Sequence, residues 1–278
     1  MEHSQASQIF TTLGHPDRLM VFRLLMRFAP QGVRPTEIAE ALGFKANTLS
    51  HHLSELTATG LVTVRRQGRS LYYAVQLETT EALIAYLAQD VARGRPDLLG
   101  GLAGAGPLPT PPRPWQVLFL CSGNRARSLM AEALLRDLGG GRFIAHSAGL
   151  HPGEAPHPTT LSILGRNGHD TRDLRSKSIT EFQRPDAPQM DFVFTVCDRA
   201  ATEECAPWPG LPLTAHWGLP DPVAATGTAA EQALVFARTY GALRRRIAAF
   251  AELPLASLDR LALQSRLDAL GEAPPEQE

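Results

Sequence analysis

The 278 residues of this chain are enough for two domains that each bury a hydrophobic core. The hydrophobic fraction of 44% and charged fraction of 20% are typical of a soluble globular protein. The formal net charge of −1 excludes a chain that binds nucleic acid or anionic membranes by its overall charge. Because the first residues show no signal-peptide pattern and no apolar run reaches membrane-span length, we expect a cytoplasmic protein without a membrane partner.

Residues 1–93 show a pattern of short helices followed by a hairpin. A brief first helix is predicted at 9–13, and a last one at 80–92. The predicted inward positions of the helices between them recur at helical spacing: Leu19, Phe22, Leu25 and Met26, then Ile38, Ala41 and Leu42, then Leu49, Leu53 and Leu56. Gly43 separates the last two of these helices, which is the arrangement of a helix-turn-helix.

The helix after Gly43 is the candidate recognition helix. Its exposed face is predicted to carry short polar side chains that suit base edges and phosphates: Asn47, Thr48, Ser50, His51 and Ser54. Two alternating strands follow between Leu61 and Val75, and three arginines cluster at their tip: Arg65, Arg66 and Arg69. A basic hairpin beside a recognition helix is a wing that reaches backbone phosphate or a minor groove. A small protein-interaction domain with a charged hairpin is the alternative.

This segment resembles the arsenical-resistance type of winged-helix repressor, in the stretches L-G-H-P-D-R at 13–18, E-I-A-E-A-L at 37–42, T-L-S-H-H-L at 48–53 and G-L-V at 60–62. The resemblance implies a homodimer, paired through the first and last helices, that binds two half-sites of operator DNA. Family members sense metals through cysteines on the helix-turn-helix or through Asp and His on the last helix, and this segment has neither set. We therefore assign His51 and His52 to the DNA face or to the structure, and predict no metal site.

A Gly- and Pro-rich linker at 94–114 has no periodicity and is predicted to be a mobile or semi-extended tether. It separates the DNA-binding domain, 1–93, from a second domain at 115–252, which a C-terminal helix and tail follow at 253–278. Apolar strands at 117–120, 142–149 and 191–196 alternate with predicted helices in the second domain. This alternation predicts a parallel α/β sheet with its site at the carboxyl ends of the strands.

Between the first of these strands and its helix lies a tight loop: Ser122, Gly123, Asn124, Arg125 and Ala126. A loop that leads from a strand into a helix binds anions, because its backbone N–H groups and the helix dipole favour negative charge. Gly123 and Asn124 are the residue types that most easily adopt the left-handed backbone that such a loop needs. The sequence therefore predicts an oxyanion-binding loop.

Cys121, at the start of this loop, is the candidate nucleophile. The N–H groups that bind an oxyanion also stabilise a thiolate, so we expect the pKa of Cys121 to be lowered. Arg127 offers a planar charged fork for a tetrahedral oxyanion, and the Ser128 hydroxyl can donate to the thiolate. A buried structural cysteine beside an ordinary turn is the alternative, which the strand, the C-x5-R-S spacing and the helix together disfavour.

Two further groups follow the third strand. Cys197 and Cys205 are separated by seven residues, which is not a usual zinc spacing, so they are either a redox pair or two unrelated buried thiols. All three cysteines lie in the second half of the chain, and cysteines in a reducing compartment are seldom structural disulfides. Asp221, followed by Pro222, can hold a carboxylate over the anion site as a general acid.

The second domain, over about Pro114 to Phe250, resembles the low-molecular-weight protein tyrosine phosphatase superfamily, which includes thioredoxin-coupled arsenate reductases. Many members carry a second cysteine just before the arginine, where this sequence has Ala126. The paired cysteines, and the sequence Val223-Ala224-Ala225 in place of the tyrosines of the phosphatases, place the resemblance with the arsenate-reductase branch.

This resemblance implies an arsenate reductase fused to a transcriptional regulator of arsenic resistance. Cys121 attacks an arsenate or phosphate-like oxyanion, and Asp221 protonates the departing oxygen. The electrons come through Cys197 and Cys205 from thioredoxin or a similar thiol system, with no bound cofactor. Two alternatives stay open: a low-molecular-weight tyrosine phosphatase fused to a regulator, and a non-enzymatic domain that senses an oxyanion and tunes DNA binding.

Overall fold

The computed structural model describes residues 1–93, 113–203, 208, 212–258 and 260–272. The chain divides into two compact units, Met1–Gly106 and Pro107–Glu278, and each is described by itself below.

The first unit contains five helices and one hairpin in its described part. They are α1 His3–Leu13, α2 Pro16–Arg27, α3 Pro35–Leu42, α4 Ala46–Ala58, β1 Val62–Gln67, β2 Ser70–Val75 and α5 Leu77–Tyr86, which continues as a π-helical turn, Leu87–Val91. Gly43 ends α3 in the left-handed conformation (φ 68°) that turns the chain into α4. The strands β1 and β2 pair antiparallel from Val62 opposite Val75 to Gln67 opposite Ser70. This is a winged helix-turn-helix fold.

The buried faces of these helices differ in part from the predicted ones. On α4, Leu49, Leu53 and Leu56 are buried as predicted. On α2, Leu19 and Met26 are 41% and 37% exposed, and Val21 and Leu24 are buried beside Phe22 and Leu25 instead; on α3, Ala41 is also exposed. The periodicity is compatible with more than one apolar stripe around α2, and packing against α4 and β2 selects one of them. The first helix is longer than predicted because Ala6 is buried as well as Ile9.

The second unit alternates strands and helices around one sheet. Its elements are β3 Trp115–Cys121, α6 Arg127–Leu138, β4 Phe143–Gly149, α7 Pro158–Arg166, β5 Phe192–Thr195, α8 Asp198–Thr202, β6 Leu213–His216, α9 Ala229–Ala251 and α10 Arg260–Glu272, with short 3-10 turns at Ile179–Phe182 and Pro222–Ala224. The four strands lie in the order β4-β3-β5-β6 and all pairs are parallel. The predicted α/β fold is confirmed.

The central strand β3 is buried along its whole length, which explains the apolar run at 117–120. On one face of the sheet, Phe194 stacks on Trp217 with ring centroids 4.2 Å apart, and Phe250 of α9 meets both rings edge-on. On the other face, Leu118, Leu120 and further apolar side chains form a smaller cluster. This sheet brings the ends of β3, β4 and β5 to one edge, where the candidate site lies.

The strand β6 was not predicted from the sequence, and the chain after it was expected to form only a helix somewhere between 253 and 278. The strand β6 has only four residues, two of them polar (Thr214 and His216), so its sequence pattern is weak. The helix α10 covers β6, with Leu263 and Leu267 fully buried, and the Trp217 indole N–H donates to the carbonyl of Leu267 at 2.9 Å. No helix in the described part of the chain is long and apolar enough to cross a membrane.

We predict that Leu267→Ala destabilises the second unit by about 2–5 kcal/mol, because it removes a fully buried side chain from the contact between α10 and the sheet. Leu234→Ala on α9 is the matched control: Leu234 is 50% exposed, so its loss is expected to cost less than about 0.5 kcal/mol. All three tryptophans lie in this unit, so urea unfolding followed by tryptophan fluorescence reports on it alone. Equal midpoints for the two variants would contradict the docking of α10.

Candidate active site and DNA-binding surface

The thiol of Cys121 lies inside the loop between β3 and α6. Its sulfur is 2.9 Å from the Ser128 hydroxyl oxygen and 3.1 Å from the backbone nitrogen of Asn124, which donates to it. Cys121 is 2% exposed and Ser128 is fully buried. The loop thus surrounds one sulfur with hydrogen-bond donors at the amino end of a 12-residue helix.

Asn124 determines the shape of this loop. It adopts the left-handed conformation (φ 45°), whereas Gly123 does not. The fully buried amide of Asn124 donates to the hydroxyls of Ser128 and Ser147, each at 2.8 Å, and accepts from the backbone N–H of Lys177 at 2.7 Å. One side chain therefore ties the loop to α6, to β4 and to the segment around Lys177.

A buried ion pair beneath the loop extends this network. The Lys177 ammonium lies 2.7 Å and 3.0 Å from the two carboxylate oxygens of Glu132, to which the Ser147 hydroxyl also donates. Sequence analysis missed Glu132 and Lys177. Glu132 lies one helical turn after Ser128, which places both on the same face of α6, and this spacing was a detectable sign. Lys177 is remote in sequence and nothing pointed to it.

The strand β4 passes close behind the loop. A Cβ atom on Gly149 would lie 2.8 Å from the carbonyl oxygen of Ser122 and 3.0 Å from the nitrogen of Asn124, so this position cannot hold a side chain without a shift of the loop. The next residues add backbone bonds, from Leu150 to Cys121 and from His151 to Ser122. The loop is thus held from behind as well as from within.

The other loop residues differ in exposure. Ala126 is buried and precedes the first turn of α6, and Ser122, Gly123 and Arg125 are partly exposed at the mouth. The Arg125 guanidinium donates to the carbonyl of Ala155 at 3.3 Å, so in this arrangement it is directed away from the thiol. Arg125 therefore contributes backbone to the loop here, while its charge lies at the rim.

Arg127 and Asp221 meet at the opposite side of the site. The Arg127 guanidinium is 8% exposed, donates to the carbonyl of Leu219 at 2.7 Å and lies 3.0 Å from a carboxylate oxygen of Asp221. Asp221 also caps the 3-10 turn at 222–224 by accepting from the backbone N–H of Val223 at 3.1 Å. The structure therefore brings the predicted cation and the predicted general acid together, although they are far apart in sequence.

The pKa of Cys121 is raised, and the expectation of a lowered value is wrong for this arrangement. Burial is the main cause, and the nearby Cys197 adds to it, whereas the hydrogen bond from Ser128 and the charge of Arg127 act in the opposite direction. The sequence reveals the donors around the sulfur but not the depth at which the sulfur is buried.

Cys197 lies at the same edge of the sheet, just after β5. It is 2% exposed, its sulfur is 3.7 Å from the Ser122 hydroxyl oxygen, and it caps α8 by accepting from the backbone N–H of Ala200 at 3.4 Å. Both Cys121 and Cys197 are free thiols. Cys205 lies outside the described residues.

A carboxylate and an imidazole that sequence analysis did not single out as a site lie beside Cys197. Asp198 accepts from the His216 ring at 3.1 Å, and the other ring nitrogen of His216 is 2.8 Å from the Thr195 hydroxyl. This hydrogen bond lowers the pKa of Asp198, and the charge of Arg127 acts in the same direction. The pair fixes the start of α8, and with it the position of Cys197.

The first unit presents the predicted DNA-binding residues on its surface. All the predicted positions on α4 are exposed: Asn47, Thr48, Ser50, His51 and Ser54. The hairpin arginines Arg65, Arg66 and Arg69 are exposed as well, and Arg66 donates to the carbonyl of Gly68 at the tip. His52, by contrast, is only 4% exposed and faces inward. The exposed helix and the basic tip form one candidate nucleic-acid surface.

Each of the two units contains residues that match a known family. Residues 116–262 match the low molecular weight phosphotyrosine protein phosphatase family, and residues 13–65 match a helix-turn-helix domain. Since the first match covers more than half of the chain, the protein belongs to the low molecular weight phosphotyrosine protein phosphatase family, with a helix-turn-helix domain preceding the phosphatase-type domain.

The curated relatives that are similar to this chain include arsenate reductases and a tyrosine phosphatase. An arsenate reductase of Halalkalibacterium halodurans is 33% identical over 136 residues, which are 49% of this chain and 94% of the relative. A glutaredoxin arsenate reductase of Synechocystis is 30% identical over 107 residues, 38% of this chain and 78% of the relative. The low molecular weight protein-tyrosine-phosphatase YfkJ of Bacillus subtilis is 36% identical over 88 residues, 29% of this chain and 54% of the relative.

We predict that Ser128→Ala slows alkylation of Cys121 at neutral pH. The Ser128 hydroxyl stabilises the thiolate, so its loss raises the pKa of Cys121 further and leaves less thiolate at any pH below that value. Iodoacetamide labelling across a pH series, followed by mass spectrometry of the Cys121 peptide, measures the shift. Ser257→Ala removes an exposed serine hydroxyl that bonds only to the carbonyl of Pro254 and should leave the profile unchanged. Superimposable profiles for both variants would exclude the assigned role of Ser128.

Proposed function

We propose that the protein is an arsenate reductase fused to a DNA-binding regulator of arsenic resistance. The observation that carries the proposal is the pair of free thiols at one sheet edge: Cys121 lies inside an oxyanion loop beside Arg127, and Cys197 lies close to it. The Halalkalibacterium halodurans relative, of which the match covers 94%, is an arsenate reductase. A hydrolytic phosphatase needs the first thiol, whereas a reductase also needs further thiols as electron donors.

In the first proposed step, the Cys121 thiolate attacks the arsenic atom of arsenate. The backbone N–H groups of the loop and the Arg127 guanidinium hold the oxygens, and Asp221 in its protonated form gives its proton to the departing oxygen, which leaves as water. The product is a covalent thiol–arsenate adduct on Cys121. This step has the form of the first step of phosphatase catalysis, which accounts for the shared fold.

The second step transfers the electrons. The Cys197 thiolate attacks the sulfur of Cys121, so a Cys121–Cys197 disulfide forms, the sulfur–arsenic bond breaks and its electron pair reduces arsenic to arsenite. Cys205 then attacks Cys197, which releases Cys121 as a thiolate and leaves a Cys197–Cys205 disulfide. The Asp198–His216 pair supports this step by holding the start of α8, where Cys197 lies.

An external dithiol must then reduce that disulfide. Thioredoxin is the donor that we propose, and a glutaredoxin-type donor is the variant that the name of the Synechocystis relative suggests. No bound cofactor is required, because thiols supply both electrons.

We predict that Cys197→Ser abolishes arsenate-dependent NADPH oxidation in an assay coupled through thioredoxin and thioredoxin reductase. The first adduct can still form, but without the second thiol it is not reduced. Cys121 in this variant should still be alkylated by iodoacetamide, which distinguishes a lost electron relay from a misfolded site. Undiminished turnover of Cys197→Ser would refute the relay.

Hydrolysis of p-nitrophenyl phosphate by the same preparations tests the phosphatase alternative. Hydrolysis that survives replacement of both Cys197 and Cys205, with no arsenate-dependent oxidation by the wild type, would replace the reductase proposal. Oxyanion binding with neither activity would favour a non-enzymatic sensor.

We propose that the first unit binds operator DNA as a homodimer. The support is the exposed polar face of α4, the basic tip of the hairpin and a set of exposed apolar side chains on α1, α5 and the π-helical turn: Phe10, Ile84, Leu87 and Val91. Exposed apolar side chains on the first and last helices of the first unit suit pairing with a second copy of this unit. A dimer places two recognition helices on two half-sites.

We predict that Arg65→Ala with Arg69→Ala weakens DNA binding uniformly across sequences and lowers the salt dependence of the affinity. Each phosphate contact that is lost reduces the slope of log K against log salt by about one unit. Fluorescence anisotropy with labelled genomic operator fragments at several salt concentrations measures both effects. Arg113→Ala, outside the hairpin, is the matched control, and an equal loss with that variant would contradict a specific role of the tip.

A further inference from the structure

A histidine, an aspartate and a second histidine converge within the first unit, away from the exposed face of α4. His15 and Asp17 lie at the start of α2, and His52 lies on α4. One possible ligand atom from each lies within 4.8 Å of the others, and among the residues that the structure describes this is the one such group of three. His52 Nε2 and Asp17 Oδ2 are 3.5 Å apart, and the rings of His15 and His52 have centroids 5.1 Å apart.

His52 is the independent sign that this group takes a ligand. The residue is 4% exposed, and neither of its ring nitrogens has a hydrogen-bond partner. A buried imidazole that makes no hydrogen bond loses its solvation without full compensation, so this position calls for a further contact.

We propose that His15, Asp17 and His52 form a binding site for a divalent transition metal ion of the Zn²⁺ class. Two imidazoles and one carboxylate are the donor set of many three-residue zinc sites, in which water completes the tetrahedron. Ligands at about 2.0 Å in a tetrahedron lie about 3.3 Å apart, so the His52–Asp17 spacing already fits, and His15 closes by a ring rotation or a small shift.

The site joins the start of α2 to the helix that carries the candidate DNA-binding residues. His51, which immediately precedes His52, is one of the exposed candidate DNA-binding residues of α4. The ring centroids of the two histidines are 6.0 Å apart. A bound ion would be held by two side chains at the start of α2 and by one side chain of α4, and would stabilise the first unit in proportion to its occupancy. It would thereby link the position of α4 to the metal concentration.

The test uses the full chain with its three cysteines replaced by serine, so that thiols cannot contribute ligands. Isothermal titration with Zn²⁺ should show about one ion bound per chain, with a rise in the melting temperature of the first unit and a tetrahedral visible spectrum when Co²⁺ is used instead. His15→Asn and Asp17→Asn should each weaken binding at least tenfold. Asn at position 15 is itself a good helix N-cap, so this variant keeps the cap that His15 provides through its bond with the Asp17 N–H.

His3→Asn is the control, because it removes an exposed histidine of the first unit that lies on α1, outside the group. It should bind Zn²⁺ as the parent does. His52→Asn should lose binding, and if that buried substitution prevents folding, the two variants on α2 still decide the question. Binding that is absent from the parent, or equal in the parent and in the variants at positions 15 and 17, would overturn the proposal.

Discussion

The buried amide of Asn124 is the constraint on which the catalytic half depends. A fully buried amide must have its hydrogen bonds satisfied, and this one reaches Ser128, Ser147 and the backbone of Lys177. The residue makes these bonds in the left-handed conformation, in which its own backbone N–H donates to the sulfur of Cys121. The packing of three separate segments therefore fixes the donor that faces the candidate nucleophile, Cys121.

The electrostatics of the site are a balance between burial and charge. Burial raises the pKa of Cys121, and Ser128 and Arg127 oppose this effect. The Arg127 charge is also shared with Asp221, at 3.0 Å. An oxyanion bound to the Arg127 guanidinium would also accept hydrogen bonds from the N–H groups of the loop, next to the Cys121 sulfur. Preorganised hydrogen-bond donors would thus stabilise the negative charge of both the oxyanion and the thiolate.

Sequence alone predicted the order of the main elements and the site loop, because these depend on local patterns. The continuous apolar run of β3 and the C-x5-R-S spacing are contained in a few residues. What escaped prediction depends on partners distant in the chain: the short strand β6 beneath α10, the Glu132–Lys177 pair, and the exposure of Leu19 and Met26 on α2. The pKa of Cys121 belongs to this second group, because its burial comes from the whole fold.

The two halves of the chain offer different chemistry to inorganic ligands. All the cysteines lie in the half that resembles arsenate reductases, where we propose one thiol as the nucleophile and two as electron carriers. The helix-turn-helix half instead groups imidazoles and a carboxylate, which bind borderline metal ions. Trivalent arsenic, by contrast, prefers soft thiolate ligands. If both proposals hold, the fused protein responds to two chemically distinct species, and its DNA-binding half would sense something other than the product of its own reaction.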